Sequence, residues 1–165
     1  MSADLRAHWD YLENEWRAAK AAPLSLRKAM VVVGLLDAFA DRMAVAGEHD
    51  DVLAFRAGLA ANSPALTQVF GLASHREDGP RLQVRAVAVP VGEMGRLPVE
   101  DFMVSLYNNH SVQRLMVVAS GMAPVLAHEV LAEAVAALQS AGIIDGAGAL
   151  STAEKKLIGA IISTA

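Results

Sequence analysis

The spacing of apolar and polar positions changes character along this chain, and each change marks an element. Leu5, Trp9, Leu12, Trp16 and Ala19 recur at steps of four and three, with Asp10, Glu13, Asn14, Arg17 and Lys20 between them. That narrow apolar seam predicts a first helix over 3–21, with Glu13 and Arg17 placed for an i,i+4 pair. Ala22-Pro23 breaks it, and Ser25 is positioned to N-cap the next helix. Residues 29–36, inside a helical stretch over 26–45, are apolar all the way round. A helix without a polar face is expected to be buried on every side, so this segment should form the axis of the domain or of an oligomer. Gly34 within it costs about 1 kcal/mol relative to alanine, which predicts a close helix–helix approach. Gly47 ends that helix, and Asp50 or Asp51 caps a third with Val52, Phe55, Leu59 and Ala60 on one face. Asn62 closes it. Ser63-Pro64 then opens a short fourth helix, following the N-cap and N1-proline pattern, with Leu66, Val69, Phe70 and Ala73 inward.

A polar turn at 75–80 separates this helical half from a different pattern. From Arg81 onwards Leu82, Val84, Ala86 and Ala88 alternate with Gln83, Arg85, Val87 and Val89. The period of two predicts a strand closed by Pro90. Val99, Phe102, Met103, Leu106 and Tyr107 return to helical spacing after Pro98, and 112–118 is a second strand candidate. Were these strands parallel, they would form a βαβ unit with a right-handed crossover. Two strands alone are marginal, so a third strand or a neighbouring subunit should complete the sheet. A helix over 122–142 follows, with Gly142 as its C′ residue. The capping box Ser151-Thr-Ala-Glu154 opens a last helix over 152–164, with Leu157, Ile158, Ile161 and Ile162 on its apolar face. The expectation is a single α+β domain over 1–165, mainly α. It has a helical N-terminal half (1–74), a short β-α-β-like segment (about 81–119, within 80–120) and two C-terminal helices.

Composition sharpens the picture in two ways. Apolar residues make up 54% of the 165 positions before glycine is counted, above the usual 45–50% that includes it. The surplus predicts self-association, since homo-oligomer interfaces are more apolar than ordinary surface; a homo-oligomer, first of all a dimer, is expected. Fourteen Lys and Arg stand against eighteen Asp and Glu, for a net charge of −4. The basic residues do not cluster, so no phosphate-neutralising stripe is present and a nucleic-acid partner is not expected. The chain has no cysteine, which excludes disulfides, Cys-ligated zinc and thiol nucleophiles. Its N-terminus lacks the basic-then-apolar pattern of a signal peptide, and the run at 29–36 is too short to span a bilayer. A soluble, cytoplasmic protein without a membrane partner is the resulting expectation.

Candidate chemistry gathers in one place. Tyr107-Asn108-Asn109-His110-Ser111, with Arg114 just beyond, brings aromatic, amide, imidazole and guanidinium groups to a helix–strand junction. Tyr107, Asn109, His110 and Arg114 could line a pocket for a polar or small anionic ligand, because a guanidinium beside amide and imidazole donors binds carboxylate or phosphate bidentately. The same residues also suit a helix end, where asparagine tolerates a left-handed backbone and histidine complements the dipole. Glu48-His49-Asp50-Asp51 has metal-compatible side chains but lacks the alternating ligands and central glycine of a calcium loop; no metal site is expected. Arg42 and His49, separated by six residues, resemble the Arg-(four to six residues)-His element of helical HEPN ribonucleases, which implies an RNA-cleaving role that the acidic charge opposes.

Neither a Glu-x-x-His pair, a G-x-x-x-x-G-K-[ST] loop, a G-x-G-x-x-G fingerprint nor a G-x-S-x-G elbow occurs, so no cofactor is expected. Ser120-Gly121-Met122 could offer N–H groups to an anion, or simply N-cap the next helix. His128 is expected to be solvated. The function these observations favour is non-catalytic binding or interaction by a homo-oligomer, with a second copy, another protein or a small anionic ligand as partner. An enzyme or ligand-binding site at the 107–114 junction comes second, with His110 as acid or base and Arg114 holding an anion. The HEPN-like ribonuclease is third.

Overall fold

Four side chains fix where the N-terminal helices begin. In the computed structural model, which describes residues 2–148, Ser2, Ser25, Asp51 and Ser63 each accept a backbone N–H from three residues downstream. They head α1 (Ala3–Lys20), α2 (Leu26–Ala46), α3 (Val52–Asn62) and α4 (Pro64–Ala73), satisfying donors that a helix start leaves open. The α1 seam turns inward as its spacing requires. Leu12 is fully enclosed, and the Trp9 ring lies 5.1 Å from that of Phe39 on α2. Val32, Val33 and Leu36 of α2 are fully buried between α1, α4 and α6.

The apolar run of α2 is the axis of the bundle, but it is not sealed on every side. Gly34 is exposed and no atom lies within 4 Å of where its Cβ would be, so it does not mark a close approach among the described residues. The absence of a side chain is what leaves this side of an apolar helix acceptable to water. The tightest glycine among the described residues is Gly71 on α4, whose Cβ would stand 2.7 Å from Cγ of Pro80.

The second half builds a three-stranded antiparallel sheet in the order β1-β2-β3, from β1 (Arg81–Ala88), β2 (Ser111–Val118) and β3 (Val125–Leu126). β1 and β2 are paired from Arg81↔Val118 to Ala88↔Ser111, so the parallel βαβ reading is corrected. The connection between them is a 3-10 turn (Val91–Arg96) and α5 (Val99–Tyr107). At 1.5 Å per residue, α5 covers only about half the length of an eight-residue strand, too little to carry the chain back to the start of β1. Instead Val89 N–H donates to the carbonyl of His110 at 2.7 Å, and β2 starts where β1 ends.

The expected third strand exists and comes from this chain. Gly121, at φ 73°, turns Ala119–Met122 back so that Val125 and Leu126 pair with Val117 and Met116. The final described helix, α6, therefore begins at Ala127 rather than near 122, and it runs through Gly142 to Gly148. A helical glycine costs about 1 kcal/mol against alanine, and without a proline nearby that is insufficient to end a helix rich in alanine. The helix expected over 152–164 lies outside the described residues. Leu82, Leu115 and Val117 join one face of the sheet to the helical core, while α5 packs on β2. Among the described residues no helix is long and apolar enough to cross a membrane.

Candidate functional site

The end of α1, the start of α2 and the start of α6 meet residues of α5 and β2 around one gap. The gap is a half-open cavity of about 580 Å³. Trp16, Leu24, Ala29, Leu115 and Leu131 form apolar walls, and Lys20, Glu100, Asp101, Arg114 and His128 stand among them. Arg114 reaches it from β2, donating through Nη2 to Asp101 Oδ2 at 2.8 Å and through Nη1 to its neighbour's carbonyl, Gln113 O, at 2.9 Å. Both partners of that ion pair are part-buried. The Lys20 ammonium lies 5.3 Å from the Trp16 ring centroid, a cation–π distance.

This arrangement suits binding. Two cations, Lys20 and Arg114, and two carboxylates, Glu100 and Asp101, line the cavity together with its apolar side chains. The Arg114 guanidinium has five N–H donors, of which two are engaged, so it can still present an edge to an acidic head group.

The structure separates Arg114 from the residues grouped with it by sequence. Tyr107 is 84% exposed. Asn109 and His110 adopt φ of 49° and 57°, and Ser111 N–H donates to Asn108 O at 3.0 Å across them. Two successive left-handed residues inside such a bond are the signature of a type I′ turn. His110 N–H also closes onto Ser105 O at 2.9 Å, finishing α5. None of Tyr107, Asn109 and His110 lines the cavity. Arg114 is instead brought together with Lys20 and His128, which arrive from α1 and α6. Sequence reasoning did not connect these, and no motif spacing could have, since the three are set by tertiary packing. The one available hint was Trp16, the seam residue of α1 nearest the break at Pro23.

The other candidates have local duties. Glu48 takes a positive φ of 55°, Asp51 caps α3 by accepting from Ala54 N at 2.9 Å, and the His49 ring packs 4.5 Å from Phe55. Arg42 pairs with Asp4 of α1 at 3.0 Å, so Arg42 and His49 serve different neighbours. Among the described residues no three His, Asp or Glu side chains gather as a metal-holding group. A constellation the sequence did not announce is Arg56 of α3, which bonds Asp37 and, at 2.6 Å, Asp41 of α2, with its guanidinium carbon 4.4 Å from the Phe70 ring of α4. Burial works against its charge, yet the bonds and charges of the two aspartates outweigh that and hold its pKa above the ordinary arginine value. Its work is to tie α2, α3 and α4 together. No protein-family model, curated protein or solved structure matches the chain.

Proposed function

We propose that this chain is a non-catalytic binding protein that works as a homo-oligomer and takes a small amphipathic ligand, apolar in its body and acidic at its head, in the cavity at Arg114. The observation that carries the reading is the cavity itself. Its volume of about 580 Å³ falls within the range of small-molecule sites, which are mostly apolar with a few convergent polar groups. Arg114 and Lys20 would take the acidic head; Glu100 and Asp101 accommodate an amine beside it. Self-association is supported by the apolar side chains left outside the core, Val84, Val99, Met103 and Leu106 among them. A cysteine-free composition is in keeping with a cytoplasmic setting.

The test is calorimetric titration with a panel of aliphatic carboxylates and apolar amino acids. Binding in the micromolar to millimolar range is expected for at least one class. A charge-assisted hydrogen bond contributes about 1.5–3 kcal/mol, so Arg114→Ala should weaken that binding by roughly tenfold or more while the circular dichroism is unchanged. Identical titrations for the wild type and the variant would remove the cavity from the account of function.

A further inference from the structure

Among the described residues, β1 is one free edge of the sheet. β2 is its one strand neighbour among the described residues, and six of its eight residues are exposed. Its register with β2 decides which backbone groups that edge presents. The pairs run from Arg81↔Val118 to Ala88↔Ser111, and the next pair outward, Val89 with His110, is joined by the 2.7 Å N–H to carbonyl bond. In an antiparallel ladder, opposite residues alternate between pairs that exchange such bonds and pairs that do not. The odd-numbered residues of β1 therefore direct N–H and C=O towards β2. Leu82, Val84, Ala86 and Ala88 direct theirs outward, to nothing in the described residues. Pro80 and Pro90 fall on the same outward parity at either end, where they have no N–H to offer.

We infer that β1 pairs antiparallel with β1 of a second copy about a two-fold axis at Val84, joining the two sheets into one of six strands. This deepens the self-association part of the function proposed above by naming its surface. With the axis at Val84, Leu82 lies opposite the partner's Ala86, and every one of these positions carries outward groups. On the other face Gln83 stands opposite the partner's Arg85, and Arg81 opposite the partner's Val87. Within one chain Arg85 already donates to Gln83 Oε1 at 2.9 and 3.1 Å, so glutamine is a suitable acceptor for it. Moving the axis one residue, to Arg85, would also use the outward groups. It would set two arginines directly opposite each other, which is destabilising. Charge thus sets the register at Val84 above that at Arg85. Val84 itself is 45% exposed, an apolar side chain on this edge that pairing would cover.

The register supplies its own test. Val84→Pro removes an outward N–H that a single chain does not use, and proline is tolerated on an edge strand in that orientation. Arg85→Pro removes an N–H that bonds β2. In sedimentation equilibrium at tens of micromolar, the wild type is expected at twice its 17.4 kDa chain mass. Val84→Pro should dissociate to 17.4 kDa with unchanged circular dichroism, whereas Arg85→Pro should lower the melting temperature. Because the chain has no cysteine, a nitroxide on Val84→Cys gives a second reading that does not depend on proline. Two labels facing each other at the axis should show strong dipolar broadening, absent after dilution with unlabelled protein. A wild-type mass of 17.4 kDa would overturn both this surface and the homo-oligomer. A dimer that survives Val84→Pro without dipolar broadening would overturn the β1 surface and leave self-association standing elsewhere.

Discussion

Gly34 and Gly71 both sit inside helices, and alanine at each should move stability in opposite directions. Gly34→Ala places a methyl where no atom lies within 4 Å and reduces the freedom of the unfolded chain. Stabilisation of about 0.5–1 kcal/mol is expected. Gly71→Ala drives Cβ to within 2.7 Å of the Pro80 ring, and such overpacking costs about 1–3 kcal/mol. Urea melts of the pair decide it; stabilisation at both would show that α4 and the head of β1 are less closely apposed than the 2.7 Å approach implies. The arginines offer a second contrast. Arg42 meets Asp4 in the open, whereas Arg56 is largely covered, stacks on Phe70 and serves two aspartates. Arg42→Ala should cost under about 0.5 kcal/mol. Arg56→Ala should cost about 1–3, because it leaves part-buried carboxylates without their donor. Equal losses would refute the assignment of Arg56 as the tie between α2, α3 and α4.

Among the helices, α2 should be the least tolerant. Val33 is 0% exposed, and an unpaired charge there costs several kcal/mol against a total stability of about 5–15. Val33→Asp is expected to abolish soluble folding, and a soluble variant with normal melting would displace α2 from the centre. The starts of α2, α3 and α4 were legible because their caps are local: a serine or aspartate three residues before its N–H donor is written in the sequence. The direction of β2 was not legible. It depends on whether the connection through α5 returns to the start of β1, which is a matter of three-dimensional path length. Val125 and Leu126 form a strand too short to show any period, so the start of α6 was misplaced. Arg114 was legible as chemistry, but its company was not. Asn109 and His110 read equally as pocket or turn from their residue types, and their left-handed backbones are what give them to the turn.

The described residues divide into a helical body and a thinly packed lobe. α1, α2, α4 and α6 share the buried core, whereas β1 has one buried residue and α5 encloses only Ser105. The cavity at Arg114 lies on the seam, with Trp16 and Leu131 contributed by the body and Asp101 and Arg114 by the lobe. Segments with so little buried surface are the ones that open without global unfolding. Such an opening would dismantle the cavity while leaving the helices folded. Amide hydrogen exchange should then show α5 and the outer half of β2 losing protection as one unit, well before α2. A ligand held across the seam binds only the closed form, so it must slow that shared exchange by the factor 1 + [L]/Kd, while amides that exchange through openings local to α4 keep their rates. The same experiment would therefore weigh a ligand before anyone knew its chemistry, from the retreat of a single cooperative opening.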